Sequence, residues 1–287
     1  MKLDGQRRST NVEDRRGGRS PGRTAARAGV PIGCGTVLIG AVLIGLGADP
    51  VQVLSLFLDG NNAPMSQPSP RSGPPSAGED ALADFASRVL ADTEDTWAVL
   101  FRDAGSTYRP PNLVLFTDSV RSACGMAGAA VGPFYCPGDQ KVYIDLSFFD
   151  TLYRRLGAPG DFAQAYVLAH EVGHHIQTLT GTSAEVRRAQ AGLRETDANA
   201  LSVKLELQAD CYAGVWGHYA NQKGLLSQGD LQEGLRAAHA IGDDTLQRNA
   251  RGYVAPDSFT HGTSEQRAEW LLRGFRSGDP QQCDTFR

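Results

Sequence analysis

The stretch AHEVGHHIQ, residues 169–177, contains three of the six histidines in this 287-residue chain, together with one glutamate. His170 and His174 are four residues apart, and Glu171 directly follows the first of them. In an α-helix, side chains at positions i and i+4 lie on the same face, one turn apart. Apolar residues before and between these polar ones recur at helical spacing. The pattern therefore predicts a helix over residues 161–179 with both imidazoles on one face.

This spacing is typical of a catalytic zinc site. Two neutral imidazoles one turn apart can both bind one Zn²⁺, and a glutamate beside the first reaches the water that the metal holds. Zinc lowers the pKa of that water to about 7 and polarises a carbonyl group, while the carboxylate accepts the proton. The pattern predicts His170 and His174 as zinc ligands and Glu171 as the general base. The alternative is a solvated turn of a surface helix, which the apolar flanking residues disfavour.

A catalytic zinc needs a third protein ligand, and the stretch LELQADCYAG, residues 205–214, offers two carboxylates. Glu206 and Asp210 are again four residues apart, in an otherwise apolar segment where unpaired carboxylates are costly. His218 is a third candidate, but a continuous helix places it about 18 Å from Glu206 along the axis. Glu206 has the longer side chain and is predicted to bind the metal. Asp210, one turn on, is predicted to accept the free N–H of a ligating histidine.

The remaining pattern of the body predicts an α+β fold that is mostly helical with a small β-sheet. Residues 112–117 and 141–149 are short β-branched or aromatic runs typical of strands. Helical spacing recurs from Ala81 to about residue 105 and dominates the chain from Asp161 onward. Further helices are predicted over residues 194–221, 228–243 and 263–276.

The charge of the chain is unevenly distributed. Residues 1–28 contain eight Lys or Arg and three Asp or Glu, a net charge of +5 from 8 − 3. Since the whole chain carries −4, the remainder carries −9 from −4 − 5. An acidic body without a basic stripe argues against a nucleic acid as the partner.

An uncharged run of 21 residues, 28–48, follows the basic segment. It matches the roughly 20 residues that a helix needs to cross a bilayer. It exceeds the apolar core of about 7–15 residues in a cleaved signal peptide, which is the alternative. The sequence thus predicts a cytoplasmic arm (1–27), a single transmembrane helix (28–48), a Pro/Ser/Gly-rich tether (49–80) and an extracytoplasmic zinc metallopeptidase domain (81–287).

Several motifs together resemble one known family. The segments HEVGHHIQ and ELQADCYAGVWG are accompanied by NVEDRRG (11–17), GPFYCPGDQKVYIDL (132–146) and DSFTHGTSEQR (257–267). The chain resembles the neutral zinc metallopeptidases of the YpfJ type, over the basic arm, the apolar run and residues 80–287. The resemblance implies a membrane-anchored, zincin-like domain that uses zinc, with Glu171 as the catalytic glutamate. ELQAD is also similar to the ExxxD segment of HtpX and CAAX-prenyl-protease gluzincins, in which the glutamate is the third zinc ligand.

Two further features bear on the site and its compartment. His261 lies in a turn before the last predicted helix and is a candidate for stabilising the oxyanion or holding the site, with a purely structural turn as the alternative. Four of the five cysteines lie in the body, and the residues alone leave three pairings open. A Cys124–Cys136 bond would close a short Gly-rich loop. The resemblance suggests Cys211–Cys283 as the second pair.

The expected function is a membrane-tethered zinc metallopeptidase that hydrolyses peptides or proteins outside the cytoplasm. In zincins the peptide lies extended against an edge strand beside the active-site helix, so residues 140–146 are expected to form that edge strand and to bind the peptide. One alternative is a zinc hydrolase of a non-peptide amide, such as a cell-wall acyl group. Another is an inactive scaffold, against which the intact Glu171 argues.

Overall fold

The computed structural model describes residues 1–17, 74–128 and 131–287. In these residues the helices, in chain order, are α1 (Ala77–Asp103), α2 (Ser147–Arg154), α3 (Asp161–Leu179), α4 (Thr182–Gln190), α5 (Glu195–Gln222), α6 (Asp230–Ala240), α7 (Asp243–Arg251) and α8 (Ser264–Ser277). The strands are β1 (Val12–Asp14), β2 (Asn112–Phe116), β3 (Ser119–Ser122), β4 (Gly125–Gly128), β5 (Phe134–Cys136) and β6 (Lys141–Asp145). This mainly helical structure with a small sheet is consistent with the predicted α+β class.

Four strands form one sheet in the order β1-β2-β6-β5. Strands β1, β2 and β6 are parallel, and β5 runs antiparallel to β6. The central strands bury residues on both faces, as their continuous apolar sequences require. Strands β3 and β4 form a separate antiparallel hairpin. The expectation that residues 140–146 form an edge strand is wrong, because β6 pairs with β2 on one side and with β5 on the other.

Helix α3 crosses helix α5 at a point of very close backbone approach. A Cβ atom added to Gly173 would lie 2.9 Å from the carbonyl oxygen of Ala209. Glycine is therefore needed here to let the two backbones meet. The contact lies one residue before His174 and one residue before Asp210, so it sets the distance between the two motifs.

Residues 1–17 are part of the folded body. Strand β1 pairs with β2, and the backbone N–H of Ser9 donates to the carbonyl of Ser87 on α1 at 3.1 Å. The buried Glu94 carboxylate on α1 accepts hydrogen bonds from Ser9 Oγ at 2.6 Å and from Asn11 Nδ2 at 2.8 Å. The sequence-based division placed residues 1–27 apart from the body. The described part of that arm instead uses its polar and basic side chains to dock on acidic residues of α1.

The predicted membrane span, residues 28–48, lies outside the described residues, as does most of the predicted tether. No helix within residues 1–17, 74–128 and 131–287 has the length and apolar character needed to cross a membrane. Helix α1 begins at Ala77, four residues before the predicted start of the body, because Ser76 and Glu79 form a capping box. Arg16 Nη1 donates to the carbonyl of Glu79 at 2.7 Å, so the end of segment 1–17 lies next to the start of segment 74–128.

Two predicted elements have different bounds in the structure. The predicted strand 141–149 ends at Asp145, whose Oδ1 accepts the backbone N–H of Ser147 and so starts α2. The predicted helix 228–243 corresponds to α6 (Asp230–Ala240), which ends before Gly242, and the separate helix α7 (Asp243–Arg251) was not predicted. Any side chain at Gly242 would collide with the backbone of Ser264. Both predicted disulfides, Cys124–Cys136 and Cys211–Cys283, are present.

Candidate metal centre

The structure brings His170, His174 and Glu206 together between α3 and α5. One ligand atom from each residue lies within 4.8 Å of the other two. Nε2 of His170 is 3.1 Å from Oε2 of Glu206, and Nε2 of His174 is 3.4 Å from Oε1 of the same carboxylate. The three side chains come from the two helices that cross at Gly173, which explains how distant motifs meet.

This donor set fits a zinc ion. Zinc bonds to histidine nitrogen and carboxylate oxygen of about 2.0–2.1 Å imply donor atoms about 3.3 Å apart in a tetrahedral site. The two nitrogen-to-oxygen distances of 3.1 and 3.4 Å match that spacing. Two imidazoles and one glutamate, all from protein, are also a known ligand set of catalytic zinc sites.

The other ring nitrogen of each histidine has its own acceptor. Nδ1 of His170 lies 2.8 Å from Oδ1 of Asp210, and Nδ1 of His174 lies 2.9 Å from Oε1 of Gln177. Since both acceptors are oxygens, each Nδ1 carries the hydrogen, and each Nε2 is left to face Glu206. Asp210 makes the contact with a histidine Nδ1 that its spacing predicts. Gln177 was missed, although its i+3 position after His174 was a visible signal.

Asp210 is fully buried and its charge is balanced by Arg267 of α8. Arg267 donates from Nε to Oδ2 at 2.9 Å and from Nη2 to Oδ1 at 3.0 Å, and Tyr166 OH donates to Oδ1 at 2.6 Å. Burial raises the pKa of Asp210, but Arg267 and His170 outweigh it and lower the pKa to about 2. Arg267 is the last residue of the motif DSFTHGTSEQR, but its spacing did not point to Asp210, because only the packing of α8 on α5 brings the two together.

In the metal-free protein, the charges of the cluster favour protonated histidines. Burial lowers the pKa of His170, but the Asp210 carboxylate and then Glu206 raise it to about 10. The pKa of His174 is also raised, since Glu206 outweighs the effect of burial. Burial raises the pKa of Glu206, but both histidines bring it well below its usual range. Without a metal ion, protons on the histidines therefore balance the negative charge of the carboxylates.

Glu171 lies beside His170 on α3 and is buried. Burial raises the pKa of its carboxyl group, although His174 and His170 oppose that rise. A carboxylate with a raised pKa holds a proton more readily than an exposed one. The environment therefore suits a general base.

His261 belongs to the same region through a pair with Asp243 of α7. Nδ1 of His261 lies 3.0 Å from Oδ1 of Asp243, whose Oδ2 accepts the backbone N–H groups of Thr260 and His261, each at 2.7 Å. Burial lowers the pKa of His261, but Asp243 and then Glu206 raise it. His261 thus lies close enough to the ligand Glu206 to affect it electrostatically, and Asp243 is a partner that sequence reasoning missed.

The structure does not bring the other candidate histidines to the cluster. His218 is hydrogen-bonded to the carbonyl of Phe275, at 2.8 Å, near the end of α8. His175 is buried toward the sheet, where its Nε2 donates to the carbonyl of Arg109 at 2.6 Å and its Nδ1 lies 3.0 Å from Tyr135 OH. Since Tyr135 lies on β5, the edge strand next to the metal helix is β5 and not β6.

Comparison with known proteins identifies the family of the chain. A family model described as "Putative neutral zinc metallopeptidase" matches residues 1–286. The chain is 51% identical to the Escherichia coli K12 protein named "Uncharacterized protein YpfJ", over 100% of this chain and 99% of that protein. It is 42% identical to uncharacterized proteins of Mycobacterium bovis and Mycobacterium tuberculosis H37Rv, over 73% of this chain and 73% of each relative. No solved structure matches. The chain belongs to the family of neutral zinc metallopeptidases that this model describes.

Proposed function

We propose that this protein is a zinc-dependent metallopeptidase that hydrolyses peptide bonds in a zincin-like domain. His170, His174 and Glu206 are its zinc ligands, and Glu171 is its general base. The observation that carries the proposal is the approach of both imidazoles to one carboxylate, with His170 Nε2 3.1 Å from Oε2 of Glu206 and His174 Nε2 3.4 Å from its Oε1. Both Nδ1 atoms are held by acceptors.

The bound zinc would polarise the scissile carbonyl and make the attacking water acidic. Glu171 accepts the proton of that water on its carboxylate, and its burial favours holding the proton until it passes to the leaving amine. His261, kept protonated by Asp243, donates an N–H to the negative charge that develops on the carbonyl oxygen. Asp210 and Gln177 keep the two ligand imidazoles in one orientation throughout.

The substrate is proposed to bind as an extended strand along β5. Strand β5 ends the four-stranded order, so among the described residues only one of its edges is paired in that sheet. Its Tyr135 contacts His175, the residue after the zinc ligand His174. A peptide added to this edge would form main-chain hydrogen bonds, which suits a protease of broad specificity.

The test is a Glu171→Gln variant assayed on an unfolded generic protein such as casein. We expect kcat to fall by about 10²- to 10⁴-fold, because the proton acceptor is lost. Zinc content by mass spectrometry should stay at one per chain, since the ligands are unchanged. Wild-type protein that binds zinc but cleaves only a non-peptide amide would favour the alternative hydrolase. Equal cleavage by variant and wild type would contradict the proposed mechanism.

We propose that the catalytic body lies outside the cytoplasm and that residues 1–17 lie on the same side of the membrane. Two disulfides favour an oxidising compartment. A single crossing between residues 17 and 74 would separate β1 from β2, whereas the two strands are neighbours in one sheet. This proposal differs from the cytoplasmic arm that the distribution of charge predicts.

Thiol labelling tests this topology. Thr10→Cys and Ala189→Cys, each placed singly in a Cys34→Ser background, introduce thiols at exposed positions of β1's segment and of the body. A membrane-impermeant maleimide should label both in intact spheroplasts. Labelling of the Thr10→Cys variant only after lysis, with Ala189→Cys labelled before, would restore the single crossing.

A further inference from the structure

A chain of two buried glutamine side chains connects the ligand His174 to the C-terminal segment. Gln177 Oε1 accepts the hydrogen bond of His174 Nδ1 at 2.9 Å. Gln177 Nε2 donates to Gln208 Oε1 at 3.2 Å, and Gln208 Nε2 donates to the carbonyl of Cys283 at 3.0 Å. Gln177 is fully buried and Gln208 is 6% exposed, so water does not substitute for these bonds at Gln177.

The direction of every bond in this chain follows from its last acceptor. The Cys283 carbonyl can only accept, so Gln208 must present its NH₂ group there and its Oε1 to Gln177. Gln177 then presents its NH₂ group to Gln208 and to the carbonyl of Leu205, at 2.6 Å. Its Oε1 is left for His174, whose Nδ1 must carry the hydrogen. The tautomer that leaves Nε2 free to bind a metal is thus fixed by two backbone carbonyls, that of Leu205 directly and that of Cys283 through Gln208.

A disulfide holds the Cys283 carbonyl in place. Cys283 is bonded to Cys211, the residue after Asp210 on α5. The two cysteines are 72 residues apart in sequence and both are fully buried. The bond therefore ties the C-terminal segment to the helix that carries Glu206. The disulfide Cys124–Cys136 lies elsewhere, joining the β3–β4 turn to β5.

We propose that Gln177 and Gln208 are positioning residues for the zinc ligand His174, and that the Cys211–Cys283 disulfide anchors them. The inference rests on the proposed zinc site. The two histidine ligands have different partners, because His170 is held by Asp210, which Arg267 of α8 holds in turn. Loss of the glutamine chain should loosen one ligand and leave the other in place.

The experiment measures zinc affinity by competition with a chelator, on full-length protein whose fold is checked by circular dichroism. Gln177→Leu should weaken zinc binding by about 10- to 100-fold, the range seen for partners of ligating histidines. Gln208→Leu should weaken it less, since Leu205 still holds Gln177 in part. Gln177→Glu, which keeps an acceptor for Nδ1, should lose less affinity than Gln177→Leu.

The disulfide provides the matched control. The double variant Cys211→Ser/Cys283→Ser should weaken zinc binding several-fold, whereas Cys124→Ser/Cys136→Ser should bind zinc as the wild type does. The visible spectrum of the cobalt-substituted protein should change in the first double variant and in Gln177→Leu, because the geometry of a ligand changes. If the first double variant does not fold, Gln208→Leu still tests the chain with both disulfides intact.

The outcome that overturns the proposal is zinc affinity within twofold of wild type for both Gln177→Leu and Gln208→Leu. Equal weakening by the two disulfide variants would also overturn it, since that indicates a general loss of rigidity. These readouts do not depend on peptide cleavage. An inactive wild-type protein would therefore refute the proposed function without deciding this inference.

Discussion

A proton and a metal ion compete for the same nitrogen of His170. Its pKa of about 10 in the metal-free protein means that it is charged at neutral pH. Zinc must displace that proton, so we expect metal uptake at pH 7 to release at least one proton per ion. Zinc affinity should fall as the pH falls, because protonation of His170 and His174 opposes binding at lower pH. Titration calorimetry in buffers of different ionisation enthalpy measures the release, and its absence would contradict the assignment of His170.

Glu206 and Asp210 are both buried carboxylates, but the structure gives them different tasks. Glu206 faces both Nε2 atoms, whereas Asp210 faces Nδ1 of His170 and Arg267. Glu206→Gln should lose zinc outright, and Asp210→Asn should keep it with an affinity reduced by about 10- to 100-fold. Metal content after dialysis distinguishes them. If Glu206→Gln retains tight zinc and Asp210→Asn does not, the two roles are reversed.

His261 should affect turnover without affecting metal content. We expect His261→Ala to reduce kcat by about 10²- to 10³-fold, as the loss of one oxyanion donor does elsewhere. Asp243 raises the pKa of His261, so activity that needs the protonated imidazole is lost as pH rises through that raised pKa. Asp243→Asn should therefore move the alkaline limb of the kcat profile to lower pH. An unchanged limb in this variant would leave His261 a structural residue.

The residues predicted from sequence are those whose partners lie on the same helical face. Spacing alone pointed to His170, His174, Glu206 and Asp210. Spacing did not point to Arg267 or Asp243, because only the packing of α8 against α5, and of α7 against α8, brings them to the site. Gln177 and Gln208 lie within the quoted motifs. The i+3 position of Gln177 after His174 was a visible signal, whereas the role of Gln208 becomes clear only from its hydrogen bonds.

At the scale of helices, the close crossing of α3 and α5 is the feature most sensitive to one atom. Gly173→Ala places a Cβ 2.9 Å from a backbone oxygen that cannot rotate away. We expect a loss of about 1–3 kcal/mol in unfolding free energy, together with weaker zinc binding as the helices separate. Gly78→Ala in α1, where the nearest atom would be 4.0 Å away, is the matched control and should not destabilise the protein. Equal stability of the two variants by chemical denaturation would argue against the close crossing.

Helix α3 has the bounds that its pattern predicts, because buried apolar residues repeat through its whole length. The predicted helix 228–243 matches α6 but ends three residues too late, and the predicted edge strand 140–146 is paired on both sides. Both errors have one cause. A bend at Gly242 and a strand on each side of β6 are consequences of tertiary neighbours, which local pattern does not contain. Length and periodicity were enough for the first element and not for the other two.

At the scale of the whole molecule, the N-terminal residues make contacts that their net charge does not predict. Their net positive charge suggests an arm facing the cytoplasm, yet Arg7 lies 2.9 Å from Glu94 and 2.7 Å from Asp95 on α1. Strand β1 has only three residues and joins a parallel pair that is distant in sequence. Neither the ion pairs of Arg7 nor the pairing of β1 can be predicted before α1 and β2 are known to be their partners.

The most direct test of the central claim is the position of the metal in crystals of the zinc-loaded protein, from anomalous diffraction at the zinc edge. The account predicts one strong peak about 2.0–2.1 Å from Nε2 of both His170 and His174 and from a carboxylate oxygen of Glu206. The described residues contain a second group of carboxylates, Asp161, Asp230 and Glu233, that could also hold a cation. A peak at that group with none between the two histidines and Glu206 would contradict the account.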